Sequence, residues 1–276
     1  MFAGQCWWVT GASSGIGKAL ARALAARGAS LVLSGRNVAA LEAVAKDCAD
    51  ALVLPFEATE FPRIPRLAQQ AWAWKGRVHG LVNNAGISQR SLAVDTAFAV
   101  YEKMIAVDLL APIALTQALL PAMVKAGGGR IVAIASVAGL VGAPLRSAYC
   151  AAKHGLVGYH DAVRAENEHL GIMVHVIAPG SVRTDVSRNA LTADGSRRGV
   201  SDSVIDNGLP PEDAAKAILA AIEAEKRELV LATGREHDIV VQRRRDPEAL
   251  FDRMSAMVRD GYAAKMAADK GGAKPG

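Results

Sequence analysis

Three side chains within residues 136–153, SVAGLVGAPLRSAYCAAK, are of the types needed to move a proton at a substrate oxygen. Tyr149 and Lys153 are four residues apart, which on a helix stacks them on one face a turn from each other. A free tyrosine titrates near about 10 and is a poor base at neutral pH. An ammonium one turn away favours the phenolate, so Tyr149 could take a proton from an alcohol or give one to a carbonyl. Ser136, thirteen residues earlier, could hydrogen-bond the same oxygen and fix its position. A Tyr and a Lys at this spacing also occur on ordinary amphipathic helices, so the weight of the reading comes from the elements around them. Ser136 closes the apolar run RIVAIAS, which reads as a buried strand. A strand end feeding a helix is where open α/β sheets place ligands.

The N-terminal stretch supplies a nucleotide site. Residues 5–10, QCWWVT, read as a first strand, followed by TGASSGIG over 10–17 and the helical run KALARALAARG. Strand, glycine-rich turn and helix is the context a dinucleotide motif needs. Gly11 allows the tight turn, Gly15 lets backbone approach a pyrophosphate, and Gly17 allows close helix–strand packing. The helix N-terminus presents free N–H groups to phosphates, with Ser13, Ser14 and Ile16 in the same loop. The second strand, 30–34, leads into Gly35-Arg36-Asn37, and no acid occurs from Leu31 to Asn37. An acid there would bind a ribose 2′-hydroxyl, whereas an arginine accommodates a 2′-phosphate. Arg36, with Ser13, Ser14 or Lys18 nearby, therefore points to NADP(H) in preference to NAD(H).

The remaining chain alternates helix and strand. Helices are expected at 37–48, 64–74, 98–126, 147–169, 210–226 and 247–266. Strands are expected at 51–55, 78–82, 171–178 and 228–232. Glu57 and Ala58, after the third strand, are placed to meet an adenine. The fourth strand ends in Asn83-Asn84-Ala85-Gly86, where Asn side chains can bond backbone groups and brace neighbouring strands and Gly86 leaves room for the adenine ribose; Asn84, Ala85 and Gly86 are cofactor-binding candidates. The 98–126 helix carries Asp108 and is interrupted by Pro112 and Pro121. Pro179, Gly180, Val182 and Thr184 follow the sixth strand and can close over the nicotinamide end. Residues 185–209 form a long polar loop, expected to be a lid. Leu140, Val141, Ala143 and Leu145, with Val186 and Leu191 from the lid, suggest a largely apolar substrate.

Composition bounds the class. With 276 residues and 51% hydrophobic content, one sizeable core is expected over 1–240, with a helical extension and flexible tail, KGGAKPG, over 241–276. Arg243-Arg244-Arg245 reads as a solvated run. The net charge of +5 is modest, and no aromatic-interleaved basic patch suggests nucleic acid. The three cysteines are odd in number and lack metal spacing, so no metal site is expected and the thiols read as reduced. No secretory leader precedes the first strand and no apolar stretch reaches transmembrane length. A cytoplasmic enzyme is the expectation.

Taken together, TGASSGIG, NNAG, Ser136, Tyr149-x-x-x-Lys153 and Pro179-Gly180 resemble the single-domain branch of the short-chain dehydrogenase/reductase family, over about residues 5–235. The resemblance implies a doubly wound Rossmann α/β sandwich with a seven-stranded, mostly parallel sheet. It implies an oxidoreductase interconverting a secondary alcohol and a ketone. Tyr149 would be the acid/base, Lys153 its charge partner and a ribose contact, and Ser136 the anchor of the substrate oxygen. It also implies a homodimer or homotetramer built on the helices around 98–126 and 147–170. Two departures are visible. Asp108 stands where the family usually has Asn, in a proton relay to the lysine, and Glu57-Ala58 replaces Asp plus a branched residue. The other readings are a non-catalytic dinucleotide-binding scaffold, against which the intact trio argues, and an epimerase or dehydratase, for which the C-terminal part is too short.

Overall fold

Apolar runs bounded by glycines and polar turns pair into one all-parallel sheet of order β3-β2-β1-β4-β5-β6-β7. Its strands are β1 (Cys6–Thr10), β2 (Ser30–Ser34), β3 (Ala51–Val53), β4 (Gly80–Asn83), β5 (Gly129–Ile134), β6 (Ile172–Pro179) and β7 (Glu228–Leu231). This computed structural model describes residues 1–268, so the tail expectation for 269–276 lies outside the described residues. The strands are nearly continuous in apolar residues because both faces are covered. Trp7, Val9, Leu31, Leu33 and Val82 pack on one face with α1 (Gly15–Ala25), α2 (Val38–Ala45) and Leu219 and Ile222 of a later helix. Trp8, Val32 and Leu81 point the other way, onto α3 (Ile64–Lys75) and the middle helices. The order reverses between β1 and β4, which opens a crevice at the carboxyl ends of the strands.

The middle helices differ from the sequence expectation in a way that matters for the site. Prolines were expected to interrupt 98–126. Instead α4 (Phe98–Ile105), a π turn (Ala106–Leu110) and α5 (Ala111–Lys125) run on as one helix. Pro112 has no N–H for the carbonyl four residues back. The helix widens just before it, with Ala111 N–H reaching Ala106 O. The resulting 28-residue helix is long and apolar enough to cross a membrane, which corrects the expectation that no stretch reaches that length. It packs against α3 and against α6 (Ser147–Asn167), as a core helix does.

Three further boundaries are corrected. β5 ends at Ile134, so Ser136 lies beyond it, at the head of a short 3-10 turn over Val137–Gly139. The presumed lid contains α7 (Ser203–Asp206) and precedes α8 (Pro211–Glu223). The C-terminal part forms α9 (Gly234–Arg245), α10 (Pro247–Arg259) and α11 (Tyr262–Ala268), so a seam at residue 240 would cut a helix and 247–266 is not one helix. Val240 and Leu250 of this part pack onto Val137 and Val141. The arginine run caps α9, where Arg244 pairs with Glu228 at 2.6 Å.

Candidate active site

The crevice is lined at its base by the ends of β1 and β4. Thr10 Oγ1 donates to Val82 O at 3.1 Å and accepts from the N–H groups of Asn84 and Ala85 at 3.0 and 3.1 Å. Asn84 Nδ2 donates back to Thr10 O at 2.9 Å. Gly11, at φ +64, turns the chain beneath these groups, where a Cβ would lie 2.8 Å from Asn84 Nδ2. Gly17 passes closer still, its absent Cβ lying 2.3 Å from Gly11 O. These contacts hold the N-terminus of α1 against the strands. Ser14, the residue before α1, makes no side-chain cap, and no acid stands in the first turn. The first N–H groups of the helix are thus left for an anion.

One cleft of about 930 Å³ joins the candidate residues. Gly11, Ser13, Ser14, Gly15, Ile16, Arg36, Glu57, Ala58, Asn84, Ala85, Gly86, Asp108, Ser136, Tyr149, Lys153, Pro179, Gly180, Val182 and Thr184 all line it. Gly17 is packed beneath, and Lys18 is not among the lining residues. A glycine floor, an uncapped helix N-terminus and a long groove fit a dinucleotide. Arg36 is largely exposed and lies 3.5 Å from Glu57 Oε2. The acid expected at the adenine therefore also steadies the arginine, and Arg36 keeps donors free for a phosphate.

At the other end, α6 presents Tyr149 and Lys153 a turn apart, with the Lys153 Nζ 5.7 Å from the Tyr149 ring centre. Lys153 is buried, and its Nζ donates to Ile134 O at 3.0 Å. Asp108 Oδ2 lies 3.3 Å from the same Nζ, and Oδ1 accepts from Ile87 N–H at 2.8 Å. Burial pushes the Asp108 carboxyl above its usual range, against the pull of Lys153 and the Ile87 N–H. Burial pushes Lys153 down, but the charges of Asp108 and Tyr149 outweigh it and lift the ammonium above its ordinary value. The pair is thus an ammonium held by a carboxyl that dislikes its own charge. Ser136 Oγ accepts from Ala138 N–H at 3.1 Å and donates to Pro179 O at 3.4 Å, which ties it to the β6 exit.

The expected apolar substrate wall is a correction. Val141 is buried against Val240 and Leu250, and Leu191 against Val100 and Met104. Leu140, Ala143 and Leu145 do not border the cleft either, and of that set only Val186 does. Leu140 and Val141 pack instead with the C-terminal helices and Leu191 with α4, which sequence spacing does not reveal. In their place stand Arg90, Lys103, Arg146 and Arg197. Sequence reasoning missed these four, because they are scattered and share no spacing. It also missed Glu236 of α9, whose carboxylate accepts from Ser181 N–H and Ser181 Oγ, both at 2.8 Å. Cys150 is packing, as expected: it is buried, and burial lifts its thiol.

The description of the family "short chain dehydrogenase" matches residues 5–195. A curated relative, dehydrogenase/reductase SDR family member 7B of Bos taurus, is 39% identical over 261 residues, covering 91% of this chain and 80% of the relative. The crystal structure of a short-chain dehydrogenase from Streptomyces avermitilis superposes with a TM-score of 0.80 at 30% identity, covering 93% of this chain and 98% of that one. A short-chain dehydrogenase/reductase from Burkholderia phymatum in complex with NAD shares the fold, with a TM-score of 0.79 at 24% identity over 90% of this chain and 95% of that one.

Proposed function

This chain belongs to the short-chain dehydrogenase/reductase family and is an oxidoreductase that uses a nicotinamide dinucleotide, and from that premise we propose that it interconverts a secondary alcohol and a ketone with Tyr149 as general acid/base. The single observation that carries this reading is the convergence of Ser136, Tyr149 and Lys153 on the cleft that also holds the glycine turn.

A bound nicotinamide dinucleotide supplies or accepts the hydride. The chain supplies everything else. The glycine turn and the head of α1 would hold the pyrophosphate, and residues at the ends of β4 and β6 would hold the ribose and nicotinamide. Ser136 Oγ hydrogen-bonds the reacting oxygen and orients it. Tyr149 Oη gives that oxygen a proton as negative charge develops in reduction, and removes one in oxidation. The Lys153 ammonium, 5.7 Å from the tyrosine ring centre, stabilises negative charge that develops on the tyrosine oxygen during proton transfer. Lys153 is fixed by Ile134 O and by Asp108, which stands directly against it.

Arg36 supports a preference for NADP(H) over NAD(H), since it borders the cleft and no acid competes for a ribose 2′-hydroxyl on its loop. A homo-oligomer is supported by exposed Phe98 and Leu110 along the α4–α5 helix, and a cytoplasmic setting by the three free, buried cysteines. The test has two arms. Tyr149→Phe should cut kcat for a ketone substrate by about 10²–10⁴-fold while thermal-shift titration with NADPH stays close to the parent. Full turnover in that variant would refute the assignment. In the parent, NADPH should raise the melting temperature at lower concentration than NADH. Stronger protection by NADH would overturn the reading of Arg36.

A further inference from the structure

Four cations, Arg90, Lys103, Arg146 and Arg197, line the cleft, and two of them, Arg90 and Arg146, stand against a buried carboxylate. Three segments distant in sequence meet there. Arg90 N–H donates to Leu191 O and Leu191 N–H to Ser88 O, both at 2.8 Å. Leu191 in turn bridges to Arg197. The head of α6 joins them, because Ala148 N–H donates to Gln89 Oε1 at 3.0 Å and Ser91 N–H to Leu145 O at 3.1 Å. Leu145 takes φ +65, a strained setting for a branched residue, one position before Arg146. The junction thereby brings the backbones of residues 90 and 197 beside the head of α6, where Arg146 stands three residues ahead of Tyr149, and all three arginines line the cleft.

Their charges are not equally spent. Arg90 is buried, and both Nε and Nη2 donate to Asp202 Oδ2. Its third nitrogen, Nη1, goes to Gln89 O at 3.0 Å and Ser88 Oγ at 3.4 Å. Asp202 is buried too and also pairs with Arg198. Arg146 stands 3.8 Å from the same carboxylate, close enough to be steadied but too far for a hydrogen bond. Arg197 and Lys103 border the cleft with no ion pair among the described residues. The two acids lining this end are engaged elsewhere: Asp108 is buried on Lys153, and Asp185 lies 3.8 Å from Arg188. A half-buried guanidinium whose carboxylate is already shared is ready for a second anion, since guanidinium forks match carboxylate and phosphate oxygens in pairs.

We propose that the substrate carries an anionic group, a carboxylate or a phosphate monoester, which Arg146 and Arg197 bind while the Arg90–Asp202 pair holds Arg146 in position. This rests on the alcohol–ketone chemistry proposed above and names the substrate class for that site. It replaces the apolar substrate expected from sequence. The anion fixes one end of the substrate so that its carbonyl falls between Ser136 and Tyr149.

The test uses two matched pairs of ketones with the full chain saturated in NADPH, so that the cofactor already occupies its own phosphate sites. One pair is 6-oxoheptanoate and its methyl ester. The other is 5-oxohexyl phosphate and its free alcohol. In at least one pair the charged ketone should exceed the neutral one in kcat/KM by about tenfold or more. The ratio should fall toward one in Arg146→Gln, recover in part in Arg146→Lys, and shrink as salt rises. Which pair responds says whether the anion is a carboxylate or a phosphate. Because the readout is a ratio within one variant, a general loss of activity does not mimic it. Ratios at or below one in both pairs, or a ratio untouched by Arg146→Gln, would overturn the proposal. If no ketone is turned over, calorimetric titration of the NADPH-loaded protein with the same four compounds decides. Binding of a charged member alone, lost in Arg146→Gln, sustains the anion site while the redox reading falls. Equal binding of charged and neutral members, or none, overturns the anion site.

Discussion

Asp108 and Lys153 set the charge of the catalytic end. The ammonium alone would leave a net positive charge beside Tyr149; the buried carboxyl 3.3 Å away offsets it. The π turn makes this possible, because widening the helix before Pro112 places Asp108 under the Ile87 N–H and against Lys153. Replacing Asp108 by Asn keeps an acceptor for Ile87 and removes the offsetting charge. An uncompensated ammonium favours an anionic oxygen next to it more strongly. The variant should therefore retain activity, and the rising limb of alcohol-oxidation kcat/KM should move to lower pH. A limb that stays put or moves to higher pH would show that Asp108 is not charged when the enzyme works.

At the scale of elements, the site exists because helices approach strand ends very closely. Gly17 is the tightest case. A methyl group there would sit 2.3 Å from Gly11 O and 2.4 Å from Asn84 Nδ2, and backbone cannot yield as a flexible side chain would. Gly17→Ala should lower stability by about 1–3 kcal/mol, the usual range for overpacking, and weaken NADPH binding by tilting α1 off the glycine turn. Urea denaturation and a cofactor titration would read the two effects. Unchanged values for both would mean that the helix head is not pinned as described. Strand alternation makes the two layers, sending Trp7 and Trp8 of β1 into opposite cores.

Across the whole molecule, the C-terminal helices are part of the site's support. Glu236 of α9 holds Ser181 by two hydrogen bonds, and Val240 and Leu250 pack on Val137 and Val141 beside Ser136. Glu236→Ala should cost about 1.5–3 kcal/mol for each charge-assisted bond lost and raise the KM for cofactor, with Glu236→Gln milder. A KM that does not move, with stability also intact, would detach α9 from the β6 exit loop. The grip of Glu236 was not legible beforehand, because a lone Glu in a polar helix carries no periodic signal. What could be read in advance was local: strand–glycine–helix order, one turn between Tyr149 and Lys153, and the absence of an acid from Leu31 to Asn37. Those features depend on backbone geometry over a few residues, which the order of side chains largely dictates. The cationic junction, the burial of Val141 and Leu191, the ion pair of Asp108 and the grip of Glu236 join residues far apart in the chain. Only the packed molecule decides such meetings, because they follow from how rigid elements pack against one another.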